Sequence, residues 1–305
     1  MADLQKTYKR GAGTRPKAAC EIRPEGVVAA RAGRKHGEVV AAYSSLREGA
    51  VAAGLKVPNL VDAKAVTSAV ESALGDISAG KAVTLVVPDA SARVLLLDFD
   101  ALPSKRQEAL PVVRFRLRKM VPFDVEGAAV SYQAMSVKDG QLNVLVAVMP
   151  GDVLAEYESA VRDAGYEPGA VLPSTVAAAA TVGDGSATLM VNHTAGSVTT
   201  AVAQGDEMLL HRSMDLPADP LGHEEEMAQA VITALAWYED TLARLPSTMY
   251  YAGAGGASAA AQSRWLSLVE PAPRIADLGS PDLLNALTSI PAGMLAGVTG
   301  ALATS

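Results

Sequence analysis

The sequence predicts an α/β protein of two related lobes with a small α/β module inserted between them, and three observations predict it. Half of the 305 residues are hydrophobic and 19% are charged, enough apolar material for two domains or one bilobed unit. A β-β-β-α-β order of elements occurs twice along the chain. A segment with a different order separates the two occurrences.

The first occurrence opens with three β-rich runs, ACEI, GVVAARA and EVVAAYSSL, separated by the turn-like RPE and GRKHG. In VDAKAVTSAVESALG the period changes: Val66, Val70, Leu74 and Ile77 recur at helical spacing, and the strand VTLVVP follows. The middle segment reads as strand ARVLLLDF, helix SKRQEALPVVRFRLRKM, strands AVSYQAM and NVLVAVMP, and helix DVLAEYESAVRDAG. The second occurrence has strands ATLMVNHT, SVTTAVAQ and EMLLHRSMDL, a long helix, and the strand TMYYAG. In that helix Met227, Val231, Leu235, Tyr238 and Leu242 share an apolar face, so Trp237 and Tyr238 read as packing residues. Glu224, Glu225 and Glu226 stand in its first turns, where the macrodipole favours anions. A glycine turn, YYAGAGGASAA, then leads to the helix SAAAQSRWLSLV, and IPAGMLAGVTGALATS reads as a packed terminal helix. The divisions expected are a basic disordered tail at 1–17, a first lobe at 18–88, an inserted subdomain at 89–168 and a second lobe at 169–305. A cleft between two such lobes is the default ligand site.

The 26 basic and 33 acidic residues give a net charge of −7, which supplies no global drive toward nucleic acid or anionic lipid. A single cysteine, Cys20, excludes an intramolecular disulfide and a cysteine metal cluster, and suits a reducing compartment. No run of about 18 apolar residues is present and the first residues lack an apolar core segment, so neither export nor membrane spanning is indicated.

Four motifs invite a test. GDISAGKA, 75–82, approaches the phosphate-cradling G-x-x-x-x-G-K-[ST], but Ala82 replaces the hydroxyl and the order is helix, loop, strand, so it reads as a helix C-cap. His36, His193, His211 and His223 show no ligand spacing, and no metal site is expected. Around Ser258 the final glycine of a nucleophile elbow is missing, and no catalytic residue is assigned. Lys105, Arg106, Arg114, Arg116, Arg118 and Lys119 gather positive charge on one helix; a solvated face is the favoured reading, an acidic partner or membrane surface the other.

The middle segment also carries a family resemblance. Pro88 ending one strand, Arg93 on the next, and Lys119, Pro122, Phe123, Tyr132 and Gln133 in RKMVPFDVEGAAVSYQ resemble the PilM family of type IV pilus assembly proteins. The order of elements agrees with that family over most of residues 18–305. The resemblance implies an actin-like fold, two ribonuclease H-like lobes with the inserted subdomain, at the cytoplasmic face of the inner membrane. It implies a scaffold that binds the cytoplasmic N-terminal peptide of a PilN-like bitopic partner, with a motor ATPase as a further partner and no nucleic acid. Phe99, Leu117, Val121 and Phe123 are the groove candidates, and the core of the subdomain is their other reading.

Relatives bind nucleotide through two hairpins resembling D-x-G, so ATP or ADP with Mg²⁺ is the cofactor class the resemblance implies. Here Glu21 takes the Asp position of the first hairpin, while Arg23 and Pro24 replace a glycine and a small residue. In the second, Asn192 replaces the Asp and Thr194 the Gly; Asn is a weaker ligand for a hard cation. Gly253, Gly255 and Gly256 keep the glycines that lie against adenosine in the family. The site therefore reads as degenerate and hydrolysis as disfavoured. An active ATPase or phosphotransferase, and the cytoplasmic component of a type II secretion system, stay open as alternatives; chains of the latter kind continue into a transmembrane segment, and this one stops at Ser305.

Overall fold

A computed structural model of the chain describes residues 15–33, 38–182, 185–278, 290 and 293–303. The expected tail, save Arg15 to Lys17, and His36 lie outside the described residues.

The first lobe is a five-stranded sheet. Its strands are β1 (Ala18–Arg23), β2 (Gly26–Ala32), β3 (Val39–Ser45), β4 (Ala82–Val87) and β8 (Glu167–Pro173), in the order β3-β2-β1-β4-β8. The first three strands pair antiparallel as a meander, and β4 and β8 add in parallel. Helix α1 (Ala63–Asp76) starts where the Asp62 side chain accepts a hydrogen bond from the Ala65 N–H, a normal N-cap. It buries Val66, Val70 and Leu74 against the sheet, as their spacing predicts. It ends with Ser78 at φ 52° and the Ala79 N–H returning to the Leu74 carbonyl, so GDISAGKA is a C-cap.

The second lobe repeats the plan. Strands β9 (Thr188–Thr194), β10 (Ser197–Gln204), β11 (Glu207–Asp215), β12 (Thr248–Ala252) and β13 (Arg274–Asp277) take the order β11-β10-β9-β12-β13. Helix α5 (Pro220–Leu242) covers one face. Asp219 caps it, Pro220 begins it and Ala243, at φ 54°, ends it. Met227, Val231, Leu235 and Tyr238 are buried, and the Tyr238 hydroxyl donates to the Ala187 carbonyl.

Between the lobes, β5 (Arg93–Phe99), β6 (Ala129–Lys138) and β7 (Gln141–Met149) form an antiparallel sheet of order β5-β7-β6. Helix α2 (Arg106–Leu117) packs on it, with Ala109, Val113 and Leu117 against Val144, Val146 and Val148. This is a core of its own.

Three expectations need correction. The span 89–168 is not all insertion, because helix α3 (Gly151–Asp163) buries Val153, Tyr157 and Val161 in the first-lobe core; and β8, most of which falls in the span expected for the second lobe, completes the first sheet. Of the four edge strands of the two lobes, β8 and β13 escape the periodic reading, because EPGAVLP carries prolines and a glycine and RIAD is four residues long. The helix expected over SAAAQSRWLSLV is two short ones, α6 (Gly256–Gln262) and α7 (Arg264–Ser267), broken at the extended Ser263. The terminal helix forms as expected, α8 (Ala296–Ala303), but it packs on the first lobe. There it lies against β1 and against α4 (Ser174–Ala178), close enough that a Cβ on Gly300 would stand 2.6 Å from the Ala177 carbonyl carbon. Among the described residues no helix is long and apolar enough to cross a membrane.

Candidate functional site

Each lobe begins with a tight hairpin, and the two tips meet. In the first, Arg23 pairs with Gly26 across a two-residue turn; in the second, Thr194 pairs with Ser197. Glu21 and Asn192 therefore occupy equivalent places, as do Arg23 and Thr194.

Arg23 is the residue that joins the lobes. Its side chain is 2% exposed, with Nη1 donating to Glu21 Oε1 at 3.0 Å and Nη2 to the His193 carbonyl of the opposite hairpin at 3.1 Å. Its Nε lies 3.5 Å from Glu25 Oε2, and the other Glu25 oxygen accepts from the Ala195 N–H at 3.0 Å. Burial works against the guanidinium charge, but Glu21 and Glu25 outweigh it and hold Arg23 firmly cationic. Burial pushes the Glu21 carboxyl up; Arg23 and the Ser174 hydroxyl pull it back.

Beneath this pair, residues just past the carboxyl ends of β4 and β8 converge on Asn192. Its Nδ2 donates to Ser174 Oγ at 2.8 Å, Thr175 Oγ1 at 3.1 Å and Asp89 Oδ2 at 3.2 Å. Ser174 in turn donates to Glu21 Oε1 at 2.7 Å, and Asp89 accepts from both the N–H and the hydroxyl of Thr175. The result is a buried polar chain linking Arg23, Glu21, Ser174, Asn192 and Asp89. Among the described residues Glu21 Oε2 and Asn192 Oδ1 have no hydrogen-bond partner, and α8 presses on the former at Gly297. Thr194 serves its own turn, its hydroxyl meeting Ser197 Oγ at 2.9 Å.

On the second-lobe side, His193 Nδ1 lies 2.7 Å from the Tyr251 hydroxyl and its Nε2 3.0 Å from His223 Nε2. Burial first, then the neighbouring His223 and Arg23, lowers the His193 pKa to about 4. The imidazole is neutral at physiological pH.

The glycine turn is closed by the chain itself. Gly255 and Gly256 have φ of 78° and 63°, which suit glycine, and Gly293 packs directly on the Gly253 backbone, so that a Cβ there would strike it. The Ala257 N–H at the start of α6 donates to Asp277 Oδ1 at 2.7 Å.

A Mg²⁺-triphosphate does not fit hairpins held this way. The guanidinium lies buried between the tips, its charge is matched by Glu21 and Glu25, and Glu25 takes the Ala195 N–H. A phosphate would have to displace carboxylates from each of these donors. Among the described residues no three His, Cys, Asp or Glu side chains gather as a metal site.

Of the groove candidates, Leu117 is wholly buried, while Phe99, Val121 and Phe123 are half-buried and pack on the same cluster. Sequence reading missed Asp89, Ser174, Thr175, Tyr251 and the His193–His223 pair. The dipeptides Pro88-Asp89 and Pro173-Ser174 after apolar runs carried a signal for the first three; the histidine pair, thirty residues apart, left none.

No protein-family model matches the sequence, and no curated protein matches it. Among solved structures, the chain is similar to one from a PilM-PilN type IV pilus biogenesis complex, at 17% identity and TM-score 0.73, over 95% of this chain and 98% of that one. It is also similar to the cytoplasmic domain of EpsL, an inner-membrane component of the type II secretion system of Vibrio cholerae. There the identity is 14% and the TM-score 0.52, over 90% of this chain and 95% of that one. With the duplicated sheets, these likenesses establish an actin-like fold.

Proposed function

We propose that this actin-like chain is a scaffold in the inner-membrane assembly platform of a type IV pilus or a related secretion machine. On this reading it sits at the cytoplasmic face and binds the cytoplasmic N-terminal peptide of a PilN-like bitopic protein. The observation that carries the reading is the match over nearly the whole of both chains to the structure from a PilM-PilN complex. The buried Arg23 staple supports the scaffold part, because it gives the two lobes a fixed relation without a nucleotide between them. Phe99, Val121 and Phe123, which reach the surface of the inserted subdomain, are the peptide contacts proposed; Leu117 supports them from the core.

The EpsL likeness, at a lower TM-score, makes a part in a secretion machine the second reading. The test is fluorescence anisotropy with a labelled peptide from the cytoplasmic N-terminus of a PilN-like bitopic protein of the same organism. Saturable micromolar binding, weakened by Phe123→Ser, is expected. No binding at about 1 mM would overturn the reading.

A further inference from the structure

Helix α2 has two faces that differ in kind. Ala109, Val113 and Leu117 recur on the inner face and are fully buried. Val112, Phe115 and Arg116 recur at i, i+3 and i+4 on the outer one, and Lys119 stands in the turn that follows the helix. Phe115 is 72% exposed, Val112 40%, and Met120, in the turn that follows, 45%. These side chains project from a helix instead of lining a concavity.

Cations flank them. Residues 105–119 hold six basic side chains and one acidic, Glu108, in a chain whose net charge is −7. Glu108 is paired with Lys105, and Arg114 is turned to the Val125 and Ala128 carbonyls. Arg118 reaches Glu126, and its guanidinium carbon stands 5.9 Å from the Phe115 ring centroid. Among the described residues neither Arg116 nor Lys119 forms an ion pair. A solvated helix face accounts for these charges; it gives no reason for a phenyl ring and a methionine standing in water among them.

We propose that the outer face of α2 docks on an anionic lipid surface. Phe115, Val112 and Met120 enter the boundary between headgroups and acyl chains, and Arg116 and Lys119 pair with lipid phosphate. Charge complementarity selects lipid: the rest of the chain is acidic and is repelled by an anionic bilayer, so attraction must come from this patch. Shape selects it over an acidic peptide, because projecting apolar side chains spaced between cations match an interface that yields to them.

Vesicle flotation of the full chain tests this, with about 30 mol% phosphatidylglycerol in phosphatidylcholine against phosphatidylcholine alone. Binding to the anionic vesicles only, lost in about 0.5 M salt, is expected. The exposed double variant Arg116→Ala/Lys119→Ala should weaken it at least about tenfold, and Phe115→Ser several-fold. Phe115→Trp should give an emission blue shift on anionic vesicles. Absence of binding overturns the proposal, as does binding that these variants leave unchanged, which would place the contact elsewhere. Binding of a polyglutamate peptide without vesicle binding would assign the face to an acidic protein and overturn it equally.

Discussion

The guanidinium of Arg23, on the first lobe, donates across the interlobe cleft to the backbone carbonyl of His193, on the second, at 3.1 Å. That bond stands where the tips of the two hairpins, one from each lobe, approach each other. An internal cation with two internal carboxylates therefore bridges the lobes.

Removing the cation leaves Glu21 buried and unmatched. Arg23→Ala should destabilise the protein by about 3–5 kcal/mol, the usual effect of breaking one side of a buried pair. Replacing both partners, as Arg23→Met with Glu21→Gln, should recover much of that loss. Urea unfolding of the two variants beside the wild type checks both expectations.

Acid should act through His193. Its folded pKa, about 4, lies below the ordinary value of 6.5, so the unfolded chain binds the extra proton first. The stability this group contributes is complete above about pH 6.5 and is lost progressively as pH falls toward 4, by up to about 3 kcal/mol. His193→Gln should flatten the stability profile in that window. An unchanged slope would assign the acid sensitivity to another group, such as His211, which burial also holds low.

The approach of α8 to α4 depends on the absence of a side chain at Gly300. Gly300→Ala would drive a methyl group into the Ala177 carbonyl and should cost about 1–3 kcal/mol. Gly75→Ala, in open space at the end of α1, is the control, with little loss expected. Thermal melts of the two variants give the comparison.

The doubled lobe was legible because its elements have clean periods: GVVAARA is β2 to the residue, and Val66, Val70 and Leu74 face inward as spaced. The edge strands β8 and β13 were not, since an edge tolerates prolines and needs few residues, which erases the alternation that marks a strand. At the site, the substitutions at Glu21, Arg23 and Asn192 were visible from their positions in the hairpins. Their consequence was not. An exposed turn residue and a buried interlobe staple have the same letter, and only the fold brings His193, Glu21 and Glu25 around one guanidinium.

Calorimetric titration of the full chain with Mg·ATP tests the staple most directly. If Arg23 and its carboxylates occupy the place of phosphate, no saturable heat appears up to about 1 mM nucleotide. Tight, Mg²⁺-dependent binding, abolished by Gly255→Trp, would contradict the account.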